Sequence, residues 1–106
     1  MPLVHTTEEA NDGSLVLRVT GSLDAMTAPD LIPVIEELAA QKRKDIAIDI
    51  AGLELIDSSG VAVLVSLYKR ARAQGGKVSV VGARAQPLAI LKLLKMDRVF
   101  EMRAAG

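Results

Sequence analysis

Leu55-Ile56-Asp57-Ser58-Ser59-Gly60-Val61 is the stretch on which the fold turns. An apolar strand pattern runs up to Ile56, and a helical pattern runs away from Ser58. The junction therefore delivers one carboxylate and two hydroxyls to the mouth of a helix. A helix start carries unpaired N–H groups and a partial positive charge, so it favours an anion or a phosphate. Two readings stay open on local chemistry alone. Asp57 or Ser58 is either a plain N-cap worth about 1 kcal/mol, or part of a site where the Ser58 hydroxyl is used.

Downstream, the helix runs to about Gln74 and is stopped by Gly75-Gly76. At about 100° per residue, Gly60, Leu64, Leu67, Tyr68 and Ala71 share the face that must meet a sheet, with Val61 and Val63 flanking it. Ser58 lies opposite, with Ala62, Val65 and Lys69 behind it and Arg72 beside them. That outer strip is a hydroxyl at the tip, small apolar residues in the middle and cations at the end, a pattern that suits docking of another protein. Ser59 reads as an aid to the cap. Gly60 reads as the point of close approach between helix and sheet.

Upstream, Asp45-Ile46-Ala47-Ile48-Asp49-Ile50 alternates strictly, so the isoleucines face a core and Ala47 and Asp49 the other way. Before it, a helix spans residues 28–40, with Thr27 as N-cap, Asp30 in the capping-box position, and Leu31, Val34, Ile35 and Leu38 buried. Pro33 kinks this helix if it begins at Ala28, and is tolerated if Asp30 is the cap. The charged turn 41–44 joins this helix to the Asp45 strand. At the start of the chain, residues 3–8 and 15–19 form a hairpin about Asn11-Asp12-Gly13, and Gly21 ends the second strand. Asp24 follows in a loop, where its local reading is an acid bonding its own backbone. Beyond the central helix come a strand over 77–81 ended by Gly82, a helix over 86–95 with Leu88, Leu91 and Leu94 as its stripe, and a short strand over 98–102. The order β-β-α-β-α-β-α-β predicts a single α/β domain over residues 1–106. Its sheet is mixed but mostly parallel, about five strands wide, with right-handed crossovers and helices packed on it.

Composition removes most chemistry. The chain has 106 residues, half of them apolar but only one Tyr and one Phe, so the core is aliphatic. Thirteen basic residues balance thirteen acidic ones, which leaves no electrostatic case for nucleic acid or an anionic membrane. There is no cysteine, hence no disulfide, thiolate metal site or thiol nucleophile. The single histidine, His5, falls in the first strand, far in sequence from any motif. A serine without a base is a poor nucleophile. Gly75-Gly76-Lys77 joins a helix to a strand, the reverse of a phosphate-cradling loop. The chain is therefore expected to be no enzyme and to hold neither metal nor cofactor. With neither a secretory leader nor an apolar run of about 18 residues, it is expected to be cytoplasmic and not inserted in a membrane.

The element order, Gly21-Ser22-Leu23-Asp24, Asp57-Ser58-Ser59-Gly60-Val61 and the ending Leu94-Lys95-Met96-Asp97-Arg98-Val99-Phe100 together resemble the STAS domain. More narrowly, they resemble the stand-alone bacterial anti-sigma factor antagonists, over essentially the whole chain. The resemblance implies a partner switch. The unmodified protein binds an anti-sigma factor that is also a GHKL-type serine kinase, phosphorylation at Ser58 releases it, and a serine phosphatase restores it. It also makes Asp24, Asp57, Ser59 and Gly60 neighbours of the phosphosite. Two departures from the family pattern are Pro33 and Met96, the latter standing where a glycine often ends the third helix. STAS subunits of lipid-transport ABC complexes and of stress-signalling scaffolds share the fold, and form the alternative reading.

Overall fold

The alternating run over 45–49 sits where its pattern requires, as an inner strand of a mixed sheet. The computed structural model describes residues 2–43 and 45–105. Lys44, the last residue of the charged turn 41–44, lies outside the described residues. Among the described residues the order is β1 (Val4–Glu9), β2 (Leu15–Leu23), α1 (Ala28–Ala40), β3 (Asp45–Asp49), β4 (Leu53–Ile56), α2 (Ser58–Ala73), β5 (Lys77–Val81), α3 (Ala85–Leu93) and β6 (Glu101–Arg103). Sheet order is β1-β2-β3-β5-β6, with β4 paired to β2 off that path. β1 runs antiparallel to β2, and the other pairings are parallel. The apolar run that leads into Asp57 is thus a strand in its own right.

Register explains the core. Leu17 pairs with Ile48 and Ile48 with Val80, so these side chains line one face of the sheet. All three are fully buried, with Leu31 and Leu38 of α1 and Leu64 and Leu67 of α2. Burying each such side chain contributes about 1.5–3 kcal/mol. The opposite face is polar and cross-linked. Arg18 bridges Glu8 at 3.0 Å and Asp49 at 3.1 Å, and these two carboxylates raise the Arg18 pKa further. His5 lies on β1, exposed along its whole length.

Several expectations need correction. Gly21 does not end its strand. β2 continues to Leu23 because Gly21, at φ +95°, lets the chain bulge and change partners. Leu15–Arg18 pair with β3, whereas Gly21–Leu23 pair with β4. A side chain at Gly21 would also run into the Pro2 carbonyl.

Thr27 flanks α1 but its hydroxyl caps nothing there, because it donates to the Ser22 carbonyl at 2.8 Å and accepts the Asp24 N–H at 3.0 Å. Since α1 begins at Ala28, Pro33 lies inside the helix, where no N–H is available to the Pro29 carbonyl. Val34 is only half-buried.

α3 stops at Leu93, so Leu94 falls beyond it and is exposed, while Pro87 joins Leu91 in the buried set. The left-handed residue that terminates this segment is Lys95 (φ 61°), which makes it, and not Met96, the position suited to glycine. Met96–Arg98 then form a 3₁₀ turn, and the last strand is confined to Glu101–Arg103.

Candidate functional site

β2 and β4 are parallel neighbours, so their carboxyl ends emerge side by side, and the loops that follow them meet. Asp57 N–H donates to the Leu23 carbonyl at 3.2 Å, extending the ladder by one residue. Asp57 itself is extended (φ −116°, ψ −174°) and caps α2. One carboxylate oxygen accepts the Gly60 N–H at 3.1 Å. The other accepts the Ala25 N–H at 3.1 Å. Asp57 thus does two jobs: it closes one donor of α2 and fastens the β2–α1 loop to it.

Asp24 stands one residue from that fastening. Its Oδ1 accepts the N–H of Met26 at 3.0 Å and of Thr27 at 3.1 Å, with the Thr27 hydroxyl 3.2 Å away. Its carbonyl also accepts the Ala28 N–H at 2.7 Å. The acid is turned into its own loop, as its local reading expected, and holds the turn that leads into α1, whose first N–H its main-chain carbonyl takes. Its link to the Ser58 end is the Ala25 N–H on Asp57.

Ser58 opens α2 and is exposed, while Ser59 is half-buried. Among the described residues, the N–H groups of Ser58 and Ser59 have no hydrogen-bond acceptor. The first turn of α2 contains no acidic residue. An added anion at Ser58 would therefore meet free donors and the positive end of the helix, at the cost of repulsion from Asp57. Gly60 is packed hard against β2. A Cβ there would lie 2.6 Å from the Leu23 carbonyl oxygen and 2.8 Å from an Ile56 side-chain carbon. Helix and sheet could not approach so closely with any other residue.

Behind Ser58, the surface gathers part of the expected strip. Ala62, Val65 and Lys69 line one shallow depression, joined by Ser66 and Arg70. Arg72 does not belong to it. Its guanidinium donates to the Tyr68 hydroxyl at 2.7 Å and lies over that ring, which in turn meets Phe100 edge-on. Val65 is half-buried and packs against the core, so a charge there would disturb folding as well as the surface. Ala62 is the cleaner probe.

A second depression of about 230 Å³ separates α1 from α2, lined by Ile32, Ile35, Glu36, Ala62, Val63, Ser66 and Arg70. Ile32 is exposed, as is Met26 in the loop before α1, at 86%. Ile32 and Met26 were not singled out from sequence. The signal was present, since Ile32 sits off the Leu31–Ile35–Leu38 stripe of α1.

A family model described as "Mlab, STAS domain" matches residues 6–103. The anti-sigma F factor antagonist of Paenibacillus polymyxa is 29% identical over 96 residues, covering 89% of this chain and 79% of that protein. Among solved structures, an anti-sigma factor antagonist from Mycobacterium paratuberculosis superposes with a TM-score of 0.87 at 25% identity, covering 95% of this chain and 85% of that one. The phosphorylated form of SpoIIAA, a Bacillus cell fate determinant, superposes with a TM-score of 0.77 at 18% identity, covering 97% and 92%. At that identity the likeness is one of fold. No helix among the described residues is long and apolar enough to cross a membrane.

Proposed function

Since the chain belongs to the STAS-domain family, we propose that it is an anti-sigma factor antagonist, a binding protein whose grip on an anti-sigma factor is released by phosphorylation at Ser58. The observation that carries this reading is the exposed Ser58 hydroxyl on a helix start with unclaimed N–H groups. Beside it lies a surface of small apolar residues edged by Lys69 and Arg70.

The anti-sigma factor is a GHKL-type serine kinase and brings ATP. The Ser58 oxygen attacks the γ-phosphorus, the bond to the leaving ADP breaks, and the hydroxyl proton departs to solvent or a kinase base. A serine phosphatase reverses the modification by adding water across the O–P bond. The product carries about −1.5 to −2 charges at neutral pH. The free donors of α2 accommodate that charge within the fold, against repulsion from the nearby Asp57 carboxylate. A partner pressed on Ala62 and Val65 would have to desolvate the new dianion at its edge, so it lets go.

Incubating the purified chain with its cognate anti-sigma factor kinase and ATP tests the reading by intact mass. The expected result is one added phosphoryl group on the wild type and none on Ser58→Ala, which still binds the kinase. A phosphoryl group on Ser58→Ala moves the site, with Ser59 the next candidate. Association with the ATPase of a lipid transporter, and no modification, supports the alternative role for the fold.

A further inference from the structure

The short strand β4 has one partner strand, β2, and its outer edge is open at Ile56. Ile56 N–H and C=O both point away from β2, because the neighbouring Asp57 N–H takes the ladder position on Leu23. Both are met by one side chain. The Gln86 amide oxygen accepts the Ile56 N–H at 2.9 Å, and the Gln86 amide nitrogen donates to the Ile56 carbonyl at 2.9 Å. A primary amide presents the same donor–acceptor pair as one residue of an adjacent strand, so Gln86 completes the ladder where no strand exists.

A second contact reaches the turn before β4, where Arg84 Nε donates to the Ala51 carbonyl at 3.0 Å. Between these two contacts Ala85 is left-handed (φ 53°), a conformation that a residue with a Cβ adopts only under constraint. The start of α3 is thus bent into shape to hold β4.

We propose that Gln86 is a positioning residue for the Ser58 turn. It fixes the backbone of Ile56, the residue before Asp57, and so sets the angle at which the Asp57–Ser58 junction leaves the sheet. The role rests on the reading of Ser58 as the phosphoacceptor. Among the described residues the Gln86 side chain hydrogen-bonds only to Ile56, and it lines neither depression named above. It acts through one strand residue.

The test compares wild type with Gln86→Ala, Gln86→Met, which keeps the length but not the amide, and Leu93→Ala, a control on the exposed side of the same helix. Amide hydrogen exchange by NMR reads the clamp directly. The Ile56 N–H should exchange about tenfold faster in both Gln86 variants and be unchanged in the control. Phosphoryl transfer from the cognate kinase should slow about tenfold, because a small misplacement of the attacking oxygen is costly. Nucleotide-free affinity for the kinase, set by α2, should stay within about twofold, a split that general loosening of the fold would not produce.

Unchanged exchange at Ile56 overturns the clamp. Faster exchange with normal transfer overturns the positioning role while Ser58 keeps its function. A wild-type chain that takes no phosphoryl group overturns the reading of Ser58 and this role with it.

Discussion

The starts of α1 and α2 are built from the same chemistry and finish in opposite states. At α1, Asp24 turns inward and takes the N–H groups of Met26 and Thr27 with one carboxylate oxygen, and the Ala28 N–H with its carbonyl. That helix start is closed. At α2, Asp57 takes the Gly60 N–H but spends its second oxygen on Ala25, in the other loop. The N–H groups of Ser58 and Ser59 are left free beside an exposed hydroxyl. Two acids at the ends of neighbouring strands thus produce one structural terminus and one that can receive an anion. The difference lies in the donors left over: at α1, Pro29 has no N–H and the Asp30 N–H reaches the Thr27 carbonyl at 2.9 Å, whereas at α2 Asp57 takes only the Gly60 N–H.

The comparison breaks most visibly at Ser58. Ser58→Asp adds a permanent charge at the open terminus. It should weaken binding to the cognate kinase at least about a hundredfold, about 2.7 kcal/mol, with an unchanged circular dichroism spectrum. Wild-type affinity by isothermal titration would contradict the release mechanism.

Gly60→Ala tests the closeness of α2 to the sheet. Its new Cβ would press into the Leu23 carbonyl, and thermal unfolding should show a loss of about 1–3 kcal/mol, as for overpacked interiors.

Asp24→Ala and Asp57→Ala address the turn before α1 and the cap of α2. Each should cost about 1 kcal/mol in denaturant unfolding. Only Asp57→Ala should also speed exchange at the Ala25 amide, since that donor then loses its acceptor. Equal exchange in the two variants would mean the turn and the cap are not tied together as described.

The smallest effect is expected far from both termini, at Lys95, which holds a left-handed backbone without being glycine. Relief of that strain outweighs the greater unfolded-state entropy of glycine. Lys95→Gly should therefore stabilise the chain by about 0.5 kcal/mol, seen as a higher denaturant midpoint. A lower midpoint would show that the lysine side chain contributes more than its backbone costs.

Much of this was readable before any coordinates. The 45–50 alternation, the helix after Asp57 and the Asn11-Asp12-Gly13 hairpin all express local periodicity or turn chemistry, and Asp12 does accept from Ser14 in that turn. The hydrogen bonds from Ser14 hold the Asp12 carboxyl below its ordinary pKa. Exposure of Ser58 also followed from the helical wheel. The misread positions share one cause, which is that each depends on a specific hydrogen-bonding partner that periodicity and composition do not reveal, some near in sequence and some far. Gly21 looks like a strand end because glycine usually is, yet here it lets β2 exchange β3 for β4. Thr27 has the composition of a cap, but the Ser22 carbonyl and Asp24 N–H claim its hydroxyl. Arg72 falls near the outer strip on a wheel, but Tyr68 draws it away.

Residue order alone determined the succession of strands and helices, the aliphatic core and the meeting of an acid and two hydroxyls at a helix mouth, because periodicity and capping act over a few residues. Tertiary structure decided which donors stay free, which loop Asp57 holds and that Gln86 finishes the edge of β4. Those outcomes depend on hydrogen-bonding groups 30 or more positions apart, and their pairing exists only once the sheet has assembled.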